Sequence, residues 1–395
     1  MFDRPDQRRH GLSPASIVYQ SFNGRYSDNP RAIFEALRHR SDISHVWLAD
    51  PEHVASFPPG VSTVRVQTDA ARRALESADL LIANTHTETV LPTTSRPPYL
   101  QTWHGTPLKR IHHDVLWAPP GRLRTLDEDV AKWDLLLSPN AFSTPLLRQA
   151  FGYDGEVLES GYPRNDALTG PRRDAIRASV RRRLGLDDDT VAVLYAPTWR
   201  DDEYFTGSGG QAPLALDFAR CLDALGPGHT FLARSHAAMT GRSVPPTMPG
   251  VVDVSYYPDI TDLYLAADVL VTDYSSAMFD FAVTGKPIVY FAYDLDRYRD
   301  AIRGFYFDLF ADSPGPVVPD VDGVIDALSD LPALARHYAA PYARFQAAYA
   351  HLEDGKATGR VLERLGLSEP ALPLDPESEP EPRPEATPLA TRVAV

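Results

Sequence analysis

Residues 267–293, ADVLVTDYSSAMFDFAVTGKPIVYFAY, constrain the fold of this chain more than any other stretch. Val269, Leu270 and Val271 form a short apolar run, as expected of a strand buried on both faces. Asp273-Tyr274-Ser275-Ser276 follows at its carboxyl end. The next turn opens a helix: Ser275 suits an N-cap, Met278, Phe279 and Ala282 give an apolar face, and Gly285 ends it. Pro287 to Phe291 reads as the next buried strand. The unit sets two hydroxyls, Ser275 and Ser276, beside the N–H groups of a helix start, where an anion such as a phosphate is favoured. Asp280 lies one turn further on and can accept hydrogen bonds from a ribose. The plainer reading makes both serines helix caps and Asp280 a solvated acid.

The same alternation runs through the rest of the chain. Strands are expected at Ser16–Gln20, His45–Leu48, Val64–Val66, Leu80–Ala83, Tyr99–Trp103 and Leu135–Leu137, then at Val191–Tyr195, His229–Ala233, Val251–Val254 and Asp268–Thr272. Helical stripes lie between several of them, such as Ile33, Phe34 and Leu37 after Asn29-Pro30. Strands alternating with helices imply parallel sheets covered on both faces, with ligands outside the carboxyl ends of the strands. A chain of 395 residues is too long for one core, so two domains are expected. Residues 1–14 read as a flexible start, 15–160 as the first domain, 161–367 as the second, and 368–395 as a disordered Pro/Glu-rich tail. Residues 322–367 read as two or three helices that close the second domain.

A net charge of −14 argues against general affinity for nucleic acid. The lone Cys221 excludes an intrachain disulfide and fits a reducing compartment. No apolar run approaches the roughly 18 residues of a membrane span, and the polar N-terminus lacks a signal-peptide core, so a cytoplasmic location is expected. Residues 109–124 carry Lys109, Arg110, Arg122 and Arg124 among Ile111, Val115, Leu116 and Trp117. That mixture suits contact with an anionic membrane surface, although a solvated loop with buried aromatics is the plainer reading.

Several groups suited to chemistry stand just past expected strand ends. His104, next to Gly105 in QTWHGTPLKR, can take a proton from an attacking hydroxyl. Thr198, Arg200, Arg234, His236 and Ser275 fall at the ends of one inferred sheet, and together they make a site for a diphosphate. Arg164 lies at the crossing between domains, within reach of the cleft. After Pro171, Ile176, Val180 and Leu184 form the narrow buried stripe of a helix whose arginines are expected at the surface. No metal is assigned: His86 and Glu88 lack a metal-binding spacing, and the adjacent His112-His113 lacks both spacing and partners.

WHGTPLKR (103–110), KWDLLLSPN (132–140), SGYPRNDAL (160–168), YAPTWRDDE (195–203), RSH (234–236), DITDLYLAADVLVTDYSSAMFDFAV (259–283) and GKPIVYF (285–291) together resemble the CDP-glycerol glycerophosphotransferases of wall teichoic acid synthesis. YSDNPRAI (26–33) is similar to the amino-terminal signature of that family. The resemblance spans roughly residues 16 to 365 in the family's order. It implies two Rossmann-like domains facing a cleft, the GT-B arrangement, with a CDP-alditol donor held mainly by the second. It also implies His104 as general base and His236 as a second catalytic histidine. The residues matching the donor pocket are Gly105, Thr106, Arg164, Pro197, Thr198, Arg234, Ser235, Ser275, Ser276 and Asp280.

The expected reaction moves glycerol phosphate, or a related alditol phosphate, from CDP-glycerol to a hydroxyl of a lipid-linked polyprenyl or teichoic-acid-like acceptor, releasing CMP. No cofactor is expected, since positioned cations can neutralise the diphosphate. The resemblance implies a peripheral enzyme on the inner face of the cell membrane. Two alternatives stay open at this level: a GT-B glycosyltransferase using a nucleotide sugar, and a catalytically silent partner of a membrane polymer-assembly complex.

Overall fold

A computed structural model describes residues 15–22, 24–87, 96–116, 118, 121–198, 200, 214–235 and 248–368. Two parallel sheets organise them. The first contains β1 (Ser16–Gln20), β2 (Ser44–Ala49), β3 (Thr63–Arg65), β4 (Leu80–Ala83), β5 (Tyr99–Gln101), β6 (Leu135–Ser138) and β7 (Glu156–Glu159), in the order β3-β2-β1-β4-β5-β6-β7. The second contains β8 (Val191–Tyr195), β9 (His229–Ala233), β10 (Val251–Asp253), β11 (Val269–Thr272), β12 (Ile288–Phe291) and β13 (Val317–Val318), in the order β10-β9-β8-β11-β12-β13. The central strands β4, β6, β11 and β12 are buried at every position because helices cover both faces, and this explains their continuous apolar runs.

In the first sheet the strand order reverses between β1 and β4, and in the second between β8 and β11. At such switch points the loops diverge and open a crevice at the carboxyl ends of the strands. Register sets the loops level with one another. Gln20 pairs with Ala83, and Ala83 with Gln101, so residues 21–22, 84–87 and 102–106 leave one rim together. Tyr195 pairs with both Ala233 and Val271, so residues 196–198, 234–235 and 273–276 leave the other rim together.

Some boundaries depart from the sequence reading. β5 ends at Gln101, and Trp103 takes a left-handed φ of 51° instead of continuing the strand. β7 and β13 are additional edge strands, too short or too polar to announce themselves. The last of the described residues form four helices, Val321–Ser329, Leu331–His337, Ala339–Tyr349 and Ala357–Arg364, because Asp330 stops one and caps the next. The last helix crosses back: Val361, Leu365 and Leu367 pack with Ile17, Tyr19 and Ile33 under the first sheet. The Arg173–Leu184 helix buries Ile176 and Val180, yet Arg181 on it is also buried. Its guanidinium donates to the carbonyls of Ala266, Asp187 and Thr190, so part of that basic run is structural.

Candidate active site

His104 sits past β5, directly across from the second sheet. Its Nδ1 is 2.5 Å from the Asn84 carbonyl oxygen, and a carbonyl only accepts, so Nδ1 carries the proton. The Nε2 lone pair is therefore the free base. The ring lies 4.2 Å from the Trp103 ring and 5.3 Å from that of Phe22, centroid to centroid. This apolar packing pushes the His104 pKa down from 6.5 to about 4, chiefly by desolvation, with the Asn84 carbonyl and Asp28 opposing and Arg164 adding to the drop. Phe22, Asp28 and Trp103 all take left-handed φ values, 38°, 65° and 51°. Such conformations cost about 1–3 kcal/mol each for non-glycine residues, and here they surround one imidazole.

Gly105 brings the two halves into contact. Its N–H donates to the Tyr162 hydroxyl at 3.1 Å. A Cβ at this position would stand 2.6 Å from Ser276 Oγ and 2.8 Å from Ser276 Cβ, so only glycine fits against that turn. Thr106 follows, buried. Ser275 Oγ accepts from the Ala277 N–H at 3.3 Å, and the helix beyond it runs only from Ala277 to Ala282. The first-turn serines thus shape a tight loop more than they exploit a long helix dipole.

Arg164 is the hinge pin of this junction. Its guanidinium donates to Asp28 Oδ2 at 2.6 Å, to Asp280 Oδ2 at 2.8 Å and to the His104 carbonyl at 3.0 Å. Asp280 also accepts from Asn165 Nδ2 at 2.9 Å, so both its oxygens are engaged inside the protein. That differs from the expected ribose contact: burial and an arginine partner make Asp280 and Arg164 a scaffold. Asn29 completes the frame, receiving the Arg164 N–H and donating to the Trp103 carbonyl at 3.1 Å.

The second sheet's rim presents polar groups that the described residues leave unengaged. Arg234 donates only to the carbonyls of Val254 and Tyr257, both at 2.9 Å. Among the described residues no carboxylate lies within ion-pair distance of it. Burial, helped by the nearby Arg25 and opposed by Tyr264 and Asp259, lowers its pKa to about 10. Arg25, from the loop after β1, likewise makes no ion pair among the described residues. Two cations thus lie near each other with no ion pair among the described residues, Asp50 and Glu52 acting on Arg25 and Asp259 on Arg234 only from beyond that distance, an arrangement that leaves room for an anion. Thr198 Oγ1 and Ser235 Oγ are buried at the ends of β8 and β9 with no hydrogen-bond partner among the described residues. Pro197 precedes Thr198 and is partly buried.

Arg200, expected beside Arg234, is spent elsewhere. It binds Asp294 through Nε and NH2, both at 2.8 Å, and Asp273 through NH1 at 2.9 Å. It therefore braces the loops after β11 and β12, and the cation that lies near Arg234 is Arg25. Arg25 escaped the sequence reading because nothing in NGRYSDN distinguishes it from a surface turn residue. Asn84 escaped as well, since it acts through its backbone carbonyl. His236 lies outside the described residues, as do Glu88, Trp117 and the acids 201–203.

Residues 109–114 are pinned to the second half. Lys109 bridges Phe305, the Arg110 N–H donates to Gly304, and the Tyr306 hydroxyl donates to Asp114 at 2.7 Å. Leu116 is 46% exposed. No helix among the described residues is long and apolar enough to cross a membrane.

A family model described as CDP-glycerol:poly(glycerophosphate) glycerophosphotransferase matches residues 5–367. The chain is 37% identical to the teichoic acid glycerol-phosphate transferase of Staphylococcus aureus, over 88% of this chain and 92% of that one. It is 33% identical to the teichoic acid poly(glycerol phosphate) polymerase of Bacillus subtilis, covering 90% of this chain but 49% of the relative. A solved structure of the wall teichoic acid polymerase TagF superposes with a TM-score of 0.81 at 33% identity, over 90% of this chain and 89% of that one. S. aureus MnaA bound to UDP, at 14% identity and a TM-score of 0.51, shares the fold alone. On this combined ground, the chain belongs to the CDP-glycerol:poly(glycerophosphate) glycerophosphotransferase family.

Proposed function

We propose that this protein transfers glycerol phosphate from CDP-glycerol to a hydroxyl of a lipid-linked, teichoic-acid-type acceptor and releases CMP. The acceptor hydroxyl gives its proton to His104 Nε2 and its oxygen attacks the β-phosphorus. The new P–O bond forms as the bond to CMP breaks, and the electron pair leaves on the CMP phosphate. Phosphoryl transfer asks the protein chiefly for position and charge stabilisation. Arg25 and Arg234 would neutralise the diphosphate, while the hydroxyls of Thr198 and Ser235 would donate to it. Ser275, Ser276 and Thr106 would line the donor pocket, and the family motif assigns His236 the second catalytic role. Arg164 and Asp280 act one layer behind, fixing the distance between base and cradle.

One observation carries this reading: an imidazole with a free Nε2 stands at the junction of the two halves, and Arg25 and Arg234, near each other, make no ion pair among the described residues. A neutral His104 is ready to accept a proton, and the donor's negative phosphates would strengthen it as a base by favouring the imidazolium. The reading places the enzyme on the inner membrane face, with residues 109–124 toward the lipid-linked acceptor. Incubating the protein with a panel of CDP-alditols and a lipid-linked acceptor analogue tests it. CMP release with a product heavier by one alditol phosphate is expected. Release of a nucleoside diphosphate from a nucleotide sugar would mark a glycosyltransferase, and no turnover of any donor would mark a silent partner.

A further inference from the structure

Away from the cleft, His112, His113 and Asp127 gather where the short His112–Asp114 turn meets the Arg122–Val130 helix. Their possible ligand atoms all lie within 4.8 Å of one another. His113 Nε2 is 2.7 Å from Asp127 Oδ1, and His112 Nε2 is 3.7 Å from the same oxygen. The His112 side chain is only 1% exposed, yet neither of its ring nitrogens has a hydrogen-bond partner among the described residues. A buried neutral imidazole ordinarily satisfies one donor and one acceptor, so this orphaned ring calls for an explanation.

Consecutive side chains normally point apart, which is why His112-His113 promises nothing in sequence. Here His112 takes a φ of 49°. That left-handed step turns both rings toward Asp127, with centroids 4.5 Å apart. Left-handed backbone at a non-glycine residue costs about 1–3 kcal/mol, and the ring's packing against Phe151 and His86 leaves its two nitrogens buried without a partner among the described residues.

We propose that His112, His113 and Asp127 bind a divalent transition-metal ion of the zinc class. Two imidazoles and one carboxylate suit zinc, with bonds of roughly 2.0–2.2 Å and a fourth position left to water. Closing the cluster onto one ion needs the ligand atoms to draw together. His113 and Asp127 can move, being 43% and 45% exposed, while buried His112 stays as the anchor. Asp114, on the same turn, accepts from Tyr306 in the second half and from Gln149. The ion would therefore stiffen the segment that runs from the His104 loop across the domain junction.

The test uses full-length protein without a polyhistidine tag, stripped of metal and titrated with Co2+, then with Zn2+. Visible Co2+ absorption and elemental analysis of the zinc-loaded protein report geometry and stoichiometry. One equivalent per chain is expected, with affinity reduced at least roughly tenfold by either His113→Ala or Asp127→Asn, by the scale of metal-site substitutions. Both substitutions are at exposed positions, and far-ultraviolet circular dichroism checks that the fold survives. Absence of saturable uptake would overturn the proposal, and so would uptake that neither substitution weakens.

Discussion

Gly105→Ala places the sharpest strain on the junction. The added carbon would meet Ser276 Oγ at 2.6 Å and Ser276 Cβ at 2.8 Å. Non-bonded carbon contacts sit at about 3.5–4.0 Å, so the two halves would have to part by roughly 0.7–1 Å. Overpacking of this kind costs about 1–3 kcal/mol in stability. The kinetic effect is expected to be larger, because a displacement of about 1 Å at reacting groups lowers rates by roughly 10²-fold. CMP release under donor saturation, alongside urea unfolding, measures both. Ser276→Gly removes the two clashing atoms, and glycine near a helix start costs only a few tenths of a kcal/mol. The double variant Gly105→Ala/Ser276→Gly should recover most of the lost rate. A single variant with full turnover, or a double variant no faster than the single, would show that the Gly105–Ser276 contact does not set the junction.

Three further outcomes follow from the same geometry. Arg25→Ala should weaken CDP-glycerol binding about 10- to 100-fold, the scale of one lost charge-assisted contact, with little change in unfolding free energy; unchanged affinity by calorimetry would remove Arg25 from the cradle. Arg200→Met should do the reverse, leaving the buried carboxylate of Asp273 and the half-buried one of Asp294 without their cation and lowering stability by about 3–5 kcal/mol in urea, and a stable variant would show that Arg200 is not a brace. Because burial lowers the His104 pKa to about 4, the base is unprotonated above that value and the acid limb of kcat/KM should break well below 6.5. The limb of kcat should break higher, since bound phosphates favour the imidazolium; breaks at 6.5 or above in both profiles would contradict this.

The two sheets were legible because their strands are buried on both faces and so read as unbroken apolar runs, from Leu80–Ala83 to Val269–Thr272. His104, Thr198, Arg234 and Ser235 were legible for a related reason: a parallel strand delivers whatever follows it to a known rim. Charge alone was a poor guide there. Arg200 and Arg234 look alike in sequence, but only the fold shows that Asp273 and Asp294 occupy the first and leave the second open. Asp280 misled in the same way, because its partner Arg164 lies 116 residues earlier. Asn84 was illegible for a different reason, since a backbone carbonyl carries no residue-type signal. The His112-His113 pair shows the local limit: a single left-handed φ reversed what adjacency implied, and Asp127 came from a helix that sequence spacing could not attach.

The account rests on His104 Nε2 acting as a base across a preformed junction, and His104→Ala tests that directly. The substitution leaves the backbone carbonyl that Arg164 holds, so the junction should persist. With CDP-glycerol and a lipid-linked acceptor analogue, kcat measured by CMP release should fall by roughly 10²- to 10⁴-fold while the dissociation constant for CDP-glycerol stays nearly unchanged. A variant that keeps full turnover, or one that loses donor binding in proportion to rate, would contradict it.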